Sequence, residues 1–341
     1  MKIYRQGIFF TILMMLALSI TFPGFCQTTT PPTSPVRLIF IHHSTGGHWL
    51  AATPSEYGPS GDLGEALMNN NYYVSATNYG WGPDGIGSRT DVINWPEWFT
   101  GPNRNTIMAA VYAETGQNIS GDYGSFGDWP RLATNPGGEN QIIMFKSCFP
   151  NSDIYGNPTD PPAALPNDEM TVANFKAVYN NILQYFATRQ DKLFVVITAP
   201  PMSEAGYVNN GTEPPAATRA ANARAFNNWL VNDWLDDYAY NNVAVFDYYN
   251  VLTSNGGDYD TNDAGRATGN HHRWWNNQVQ HVQGLVNNYS AYPTDEIYGW
   301  DDHPRTAGQQ KATAEFVLLL NYFYNRWKGS SATSSYLLWT K

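Results

Sequence analysis

The chain has 341 residues and a net charge of -10; 42 % of its residues are hydrophobic and 14 % are charged. This length is sufficient for one large domain with a full hydrophobic core and no disulfide staples. An acidic chain without a run of Lys and Arg is not built to neutralise phosphates, so we expect no nucleic-acid partner.

The first residues predict an exported protein. Two basic residues precede an apolar run over 7–22, and turn-forming residues follow it, which is the order found in secretory signal peptides. The run is shorter than a typical membrane span. We therefore predict a signal peptide over 1–26, a flexible leader over 27–35, and a secreted or periplasmic protein with no stable membrane insertion after signal removal.

Five apolar runs of strand length alternate with segments of helix length. The predicted strands are 36–41, 72–77, 141–146, 192–198 and 242–247. The predicted helices are 62–69, 105–115, 171–189, 215–234 and 306–327. Strands that are apolar on both faces and separated by helices indicate a parallel sheet covered on both sides. We predict one domain over 36–328, with an insertion rich in Asn and aromatic residues at about 254–292 and a tail over 329–341.

A polar turn follows the first strand directly. The sequence His42-His43-Ser44-Thr45-Gly46-Gly47 predicts a tight turn that exposes the Ser44 hydroxyl beside backbone N–H groups. A serine in this position is a candidate nucleophile, and the adjacent N–H groups are candidate donors to an oxyanion. The alternative is ordinary turn chemistry, because Ser, Thr and Gly are favoured in turns for local reasons.

The second and third predicted strands also end in small polar residues. Gly80 and Gly82 lie in the loop after the second strand, and Asn151 follows the third strand, with Ser147 as its competitor. Because parallel strands joined by right-handed crossovers end at one edge of the sheet, we expect these residues beside Ser44. Glycines in such loops serve either close backbone approach to a ligand or plain turn geometry.

An Asp-Asp-His sequence precedes the last predicted helix. Asp301, Asp302 and His303 lie where a loop enters this helix. A serine nucleophile needs an imidazole to accept its proton and a carboxylate to hold the ring in the right tautomer. An aspartate at a helix start can also act only as a cap, so the pair by itself is not specific.

Taken together, these residues and their order resemble the SGNH/GDSL hydrolase superfamily over nearly the whole mature chain. The resemblance implies an α/β/α sandwich with a flavodoxin-like parallel sheet of about five strands. It also implies Ser44 as the nucleophile, His303 as the general base and Asp301 as the residue that orients it. By the same resemblance, Gly80 (or its neighbour Gly82) and Asn151 would lend N–H donors to an oxyanion hole.

The chain departs from the family pattern at three places. Gly-Asp-Ser is replaced by His42-His43-Ser44, and the third block is longer than Gly-x-Asn-Asp. The aspartate expected three residues before the histidine falls on Trp300. We prefer Asp301 as the orienting residue because Asp-x-His spacing occurs among related acetyl-transferring proteins, with Asp302 as the alternative.

Six histidines are candidate metal ligands, but their spacing does not support a metal site. They are His42, His43, His48, His271, His272 and His281. These positions match neither a helical His-Glu-x-x-His pattern nor a compact His/Cys set, so we expect no metal and no cofactor.

Two further features have no assigned chemistry at this point. The aromatic insertion is expected to form a lid or a substrate wall, because Trp and Tyr faces suit a sugar ring; a packed aromatic loop is the equal alternative. Cys148, the one cysteine outside the predicted signal peptide, is expected to be a buried structural thiol.

The sequence therefore predicts a secreted serine esterase whose substrate is an ester, in the first place an acylated carbohydrate. An acyltransferase of the same fold would use a glycan hydroxyl in place of water as the acceptor. A non-catalytic polysaccharide-binding protein is the alternative from another class.

Overall fold

The computed structural model describes residues 28–52, 60–121, 124–208, 211–293 and 302–337, with side chains up to Gly329. The predicted signal peptide over 1–26 and the predicted orienting residue Asp301 lie outside the described residues.

A five-stranded parallel sheet forms the centre of the domain. Its strands are β1 (Val36–Ile41), β2 (Tyr72–Thr77), β3 (Ile142–Lys146), β4 (Leu193–Ile197) and β5 (Val243–Phe246). They are ordered β2-β1-β3-β4-β5, and every neighbouring pair is parallel. All five strands are buried along their whole length. The predicted flavodoxin-like sheet is therefore confirmed, because this is the strand order of that fold.

Helices cover both faces of the sheet. The helices are α1 (Ser44–Leu50), α2 (Leu63–Met68), α3 (Trp95–Phe99), α4 (Arg104–Ala113), α5 (Val172–Thr188), α6 (Ala216–Asn232), α7 (Tyr248–Val251) and α8 (Thr306–Leu337). Apolar residues of α1, α2 and α8 pack on the face that carries Leu38 and Phe40. Residues of α3 to α6 pack on the opposite face, which carries Ile39 and Ile41. The result is the predicted three-layer α/β/α sandwich.

The longer helices match their predicted positions because local signals mark them. Thr171, for example, caps α5, and its hydroxyl accepts a hydrogen bond from Asn174 N–H at 3.2 Å. The short helices α1, α3 and α7 are not predicted, since so few residues leave no measurable period. Helix α8 continues to Leu337, beyond the predicted end at Trp327 and into the expected tail.

The stretch over 28–35, expected to be a flexible leader, is held against the domain. Asn325 Nδ2 donates to the carbonyl oxygens of Thr28 and Thr30 at 3.1 and 2.9 Å. Asn71 Nδ2 donates to Pro32 O at 2.8 Å. Side-chain amides on the folded domain thus satisfy backbone carbonyls that a flexible leader would present to water.

The insertion contains a β-hairpin that packs beside α8. Its strands are β6 (Asn270–Trp275) and β7 (Gln278–Gln283), which pair antiparallel. His271 Nδ1 lies 2.7 Å from Glu315 Oε1 of α8, and both side chains are buried. Lys311 of α8 and Asp263 of the insertion form a second buried ion pair at 2.6 Å. Separating either contact would leave a buried polar group or charge without its partner, so both contacts stabilise the packing of the insertion against α8.

No helix in the described ranges combines the length and the apolar character needed to cross a membrane.

Candidate active site

The candidate nucleophile lies where the strand order reverses direction. Ser44 is the first residue of α1 and follows β1 after two residues. From β1 the chain goes to β2 on one side, and after β2 it crosses over to form β3 on the other side of β1. The strands β1 and β3 therefore flank the switch point, the place at which open α/β sheets bind ligands. The structure places the Ser44 hydroxyl at this point, partly exposed above the carboxyl ends of the strands.

Close approach of α1 to β1 depends on Gly46. A Cβ atom on Gly46 would lie 2.8 Å from His42 Cγ, and closer still to His42 Cβ. His42 is buried, and its Nδ1–H donates to His43 O at 2.9 Å, so the ring cannot move aside freely. The glycine in the Ser-Thr-Gly-Gly sequence therefore lets the helix begin directly against the strand end.

His303 lies within hydrogen-bond distance of Ser44. Its Nε2 atom is 2.8 Å from Ser44 Oγ, although the two residues are 259 positions apart in the chain. The imidazole ring packs edge-to-face between two others, with centroids 5.1 Å from His48 and 5.1 Å from Phe149. These neighbours limit ring rotation, so the imidazole faces the hydroxyl in a defined orientation.

The segment that carries His303 is anchored on both sides. Asp302 is 1 % exposed, and its Oδ1 accepts a hydrogen bond from Ser203 N–H at 2.6 Å. On the other side, Arg305 N–H donates to Tyr292 O at 2.8 Å, and Arg305 Nε donates to Pro293 O at 3.0 Å. The end of the insertion thus supports the histidine segment, while the Asp302 carboxylate holds a neighbouring loop.

Asn151 lies in the 3₁₀ turn Phe149–Ser152 and is tied to the loop after β2. Its Oδ1 accepts from Val92 N–H at 2.7 Å, and its Nδ2 donates to Asp91 Oδ1 at 2.6 Å. An asparagine amide has two N–H donors, so the bond to Asp91 leaves the second donor for another acceptor.

Gly80 is placed differently from the expectation. It is exposed with a φ of +72°, and its N–H donates to Ser88 Oγ at 2.8 Å. In this conformation the Gly80 N–H is engaged within its own loop and is not offered to an oxyanion at Ser44. Its positive φ fits the turn interpretation of this glycine.

His43 joins α1 to the loop after β2. Its Nε2–H donates to Gly87 O at 2.7 Å, and its ring stacks on Tyr79 at a centroid distance of 4.0 Å. Burial lowers the pKa of His43 to about 4 and that of His42 to about 3, so both rings are neutral near pH 7. These two histidines hold α1 and the loop after β2 in position, and His303 is the imidazole that contacts the Ser44 hydroxyl.

Cys148, expected from the sequence to be a buried structural thiol, is buried and is in contact with the candidate nucleophile. Its Sγ lies 3.4 Å from Ser44 Oγ and 3.2 Å from Thr45 Oγ1. It follows Lys146, the last residue of β3, whose Nζ is fully buried and donates to Ser147 O at 2.8 Å. The one sequence signal for this contact is that Cys148 follows a predicted strand, β3, which lies next to β1. Neighbouring strands cannot be assigned from sequence order alone, so the contact could not be predicted.

The histidines of the insertion take part in packing. His271 pairs with Glu315, and His281 Nε2 lies 2.9 Å from Asp247 Oδ2. His272 Nδ1 accepts from Asp247 N–H at 2.8 Å, and burial lowers its pKa to about 3. The three histidines of this hairpin are therefore engaged in packing contacts, as the packed alternative for the insertion requires. Within the part of the chain that the structure describes, no group of three or more His, Cys, Asp or Glu side chains is placed to hold a metal ion.

Comparison with known proteins gives weak likenesses only. No protein-family model matches the chain, and no curated protein matches it. One solved chain matches 84 % of this chain and 95 % of its own length, at 12 % identity and a TM-score of 0.35. A gut microbial diltiazem-metabolizing enzyme matches 65 % of this chain and 39 % of its own, at 9 % identity and a TM-score of 0.29.

A carbohydrate esterase whose active site displays divergent catalytic and non-catalytic binding functions is also similar. It matches 63 % of this chain and 57 % of its own, at 15 % identity and a TM-score of 0.26. This chain therefore spans less than two thirds of the length of these last two proteins. Likenesses at these TM-scores carry no argument about activity, so activity is inferred from the geometry of the site.

Proposed function

We propose that the chain is a serine esterase with Ser44 as nucleophile and His303 as general base. The observation that carries the proposal is the 2.8 Å separation of His303 Nε2 and Ser44 Oγ at the switch point of the sheet. An imidazole at this distance can accept the hydroxyl proton as the oxygen attacks a carbonyl carbon.

The proposed reaction has two steps. Ser44 Oγ bonds to the ester carbonyl carbon while its proton passes to His303 Nε2, and the alcohol leaves with that proton. Water then attacks the acyl-enzyme and gives a proton to the same nitrogen; that proton passes to Ser44 Oγ as its bond to the acyl carbon breaks and the free acid departs. Because Nε2 must accept, the ring hydrogen of the neutral His303 is on Nδ1, where a carboxylate can hold it. We propose Asp301 for that role.

The proposed oxyanion donors are backbone and side-chain N–H groups around the nucleophile. The first N–H groups of a helix have no intrahelical acceptor. At the start of α1, Gly46 N–H and Gly47 N–H donate to His43 O at 2.8 and 3.4 Å, so we propose the N–H groups of Ser44 and Thr45 as donors to a developing oxyanion. We propose the second Nδ2–H of Asn151 as a further donor. Gly80 would join them only if its loop released Ser88.

The side chains around the site favour a carbohydrate ester as substrate. Tyr79 and Phe149 are partly exposed, and they pack on His43 and His303 respectively. Partly exposed aromatic rings beside His43 and His303 suit the C–H faces of a sugar ring. We propose removal of an acyl group such as acetate from a carbohydrate, by a protein exported through the signal peptide predicted over 1–26.

The test combines hydrolysis of p-nitrophenyl acetate with mass spectrometry after fluorophosphonate treatment. We expect one adduct on Ser44, and a loss of kcat of about 10⁴-fold or more in both Ser44→Ala and His303→Ala. Ser125→Ala is the matched control, because Ser125 lies in an exposed short hairpin and its hydroxyl contacts that of Ser120. Activity in Ser44→Ala equal to that of the wild type would refute the proposal.

The products distinguish the alternatives. Release of free acetate from an acetylated polysaccharide supports hydrolysis, whereas an acylated acceptor glycan without free acid identifies an acyltransferase. Glycan affinity with neither adduct nor hydrolysis would identify a polysaccharide-binding protein.

A further inference from the structure

A second hydrogen-bonding group meets the Ser44 hydroxyl. The Cys148 thiol is 7 % exposed, and its sulfur is 3.4 Å from Ser44 Oγ. The same sulfur is 3.2 Å from Thr45 Oγ1. Ser44 Oγ therefore has two neighbours with which it can form hydrogen bonds, the His303 imidazole and the Cys148 thiol.

The number of protons decides the direction of each bond. A hydroxyl has one hydrogen to donate and two lone pairs to accept with. In the proposed mechanism that hydrogen points to His303 Nε2, so the bond to Cys148 requires the thiol S–H to donate to Ser44 Oγ. The Thr45 hydroxyl can then donate to Cys148 Sγ. The four groups form one chain of hydrogen bonds that runs from Thr45 to His303.

We propose that Cys148 is a positioning residue, whose thiol hydrogen occupies a lone pair of Ser44 Oγ and turns the hydroxyl proton towards His303. The inference rests on the proposed esterase function and deepens it. A thiol is a weak donor, so it orients the hydroxyl without withdrawing much electron density from the attacking oxygen.

Ionisation of the thiol reverses this bond. A thiolate has no hydrogen to donate and accepts one, so it competes with His303 for the Ser44 proton. It also puts a negative charge beside the oxygen on which negative charge develops during attack. The chain is therefore arranged for catalysis only while Cys148 is protonated.

The charges around Cys148 place this ionisation near neutral pH. Burial raises the pKa of the thiol, but Lys146 and His303 in their protonated forms, with the hydroxyls of Ser44 and Thr45, outweigh burial and lower the pKa to about 7. Lys146 reaches it from β3 and His303 from the segment before α8. Tyr248 of α7 also faces the thiol, and its pKa is raised well above 10.0 by burial and then by Cys148, so it stays neutral.

The test compares Cys148→Ala, which removes the donor, with Cys148→Ser, which keeps a hydroxyl donor that does not ionise. We expect Cys148→Ala to lower both kcat and the rate of fluorophosphonate reaction by about tenfold, with KM unchanged. Cys148→Ser should restore kcat at pH 6. The wild type should lose activity above about pH 7, and Cys148→Ser should lose that alkaline decline.

Two results would overturn the inference: kcat and labelling in Cys148→Ala equal to those of the wild type, or an alkaline decline that persists in Cys148→Ser. The pH profile of Cys148→Ser tests whether Cys148 positions the Ser44 hydroxyl even if Cys148→Ala does not fold. Wild-type protein that forms no Ser44 adduct would refute the esterase proposal and this inference together. Equal labelling of wild type and Cys148→Ala refutes the inference alone.

Discussion

Gly46→Ala is a small change that tests how the nucleophile is positioned. The added Cβ would lie 2.8 Å from His42 Cγ, about 0.6 Å inside the 3.4 Å at which ordinary van der Waals contact begins. His42 is buried and bonded to His43 O, so α1 must move instead. Because Ser44 is the first residue of that helix, the displacement acts on the nucleophile itself.

The expected losses of unfolding free energy and of kcat follow from this displacement of α1. Overpacking of a buried contact costs about 1–3 kcal/mol of unfolding free energy. A misplacement of about 1 Å at a reacting group costs about a hundredfold in rate. We therefore expect Gly46→Ala to lower kcat by roughly ten- to a hundredfold and to remain folded, since the loss is smaller than the stability of a typical domain.

Gly265→Ala is the control, because a Cβ at Gly265 would meet nothing within 4 Å. Both variants are measured by p-nitrophenyl acetate hydrolysis, by the rate of fluorophosphonate labelling and by urea unfolding. Gly265→Ala should behave as the wild type in all three measurements. Full activity of Gly46→Ala, together with unchanged stability, would show that α1 does not depend on close approach to His42.

Two further predictions concern buried polar groups. Burial lowers the pKa of His42, His43 and His272 from 6.5 to about 3, 4 and 3. Between about pH 4 and pH 6.5 these rings are therefore neutral in the folded protein and bind protons on unfolding. The unfolding free energy should therefore fall with decreasing pH, by at most about 4 kcal/mol per unit, and urea midpoints equal at pH 7 and about pH 5 would contradict this. Asn151→Ala leaves the buried N–H of Val92 without its acceptor at 2.7 Å, so we expect a loss of about 1–3 kcal/mol in urea unfolding. If Asn151 also serves the oxyanion, kcat should fall about a hundredfold, and unchanged kcat would remove it from that role.

The five central strands are predictable because each is a nearly continuous apolar run bounded by polar turns. The strand from 72 to 77 is an example: its predicted bounds agree with β2, and all its residues are buried. The helices α1 and α3 are missed because α1 contains the turn-like pair Gly46-Gly47 and α3 contains Pro96, and both residue types argue against a helix interior. The insertion could not be assigned from its composition, since aromatic residues suit both a sugar site and a packed hairpin. Its buried contacts with α8 show that it packs against the domain.

What the sequence by itself determines is local: which runs form strands, which face of a helix is apolar, and which polar residues follow each strand. These patterns alone make Ser44, Asn151 and His303 candidates. Only the tertiary structure decides which of them meet, because the sheet order β2-β1-β3-β4-β5 is set by long-range pairing and not by neighbours in the chain. That order puts Cys148 against Ser44, and the packing of the segment before α8 puts His303 2.8 Å from the same hydroxyl. The tertiary structure also shows that the Gly80 N–H donates to Ser88, a detail of loop conformation that the sequence does not predict.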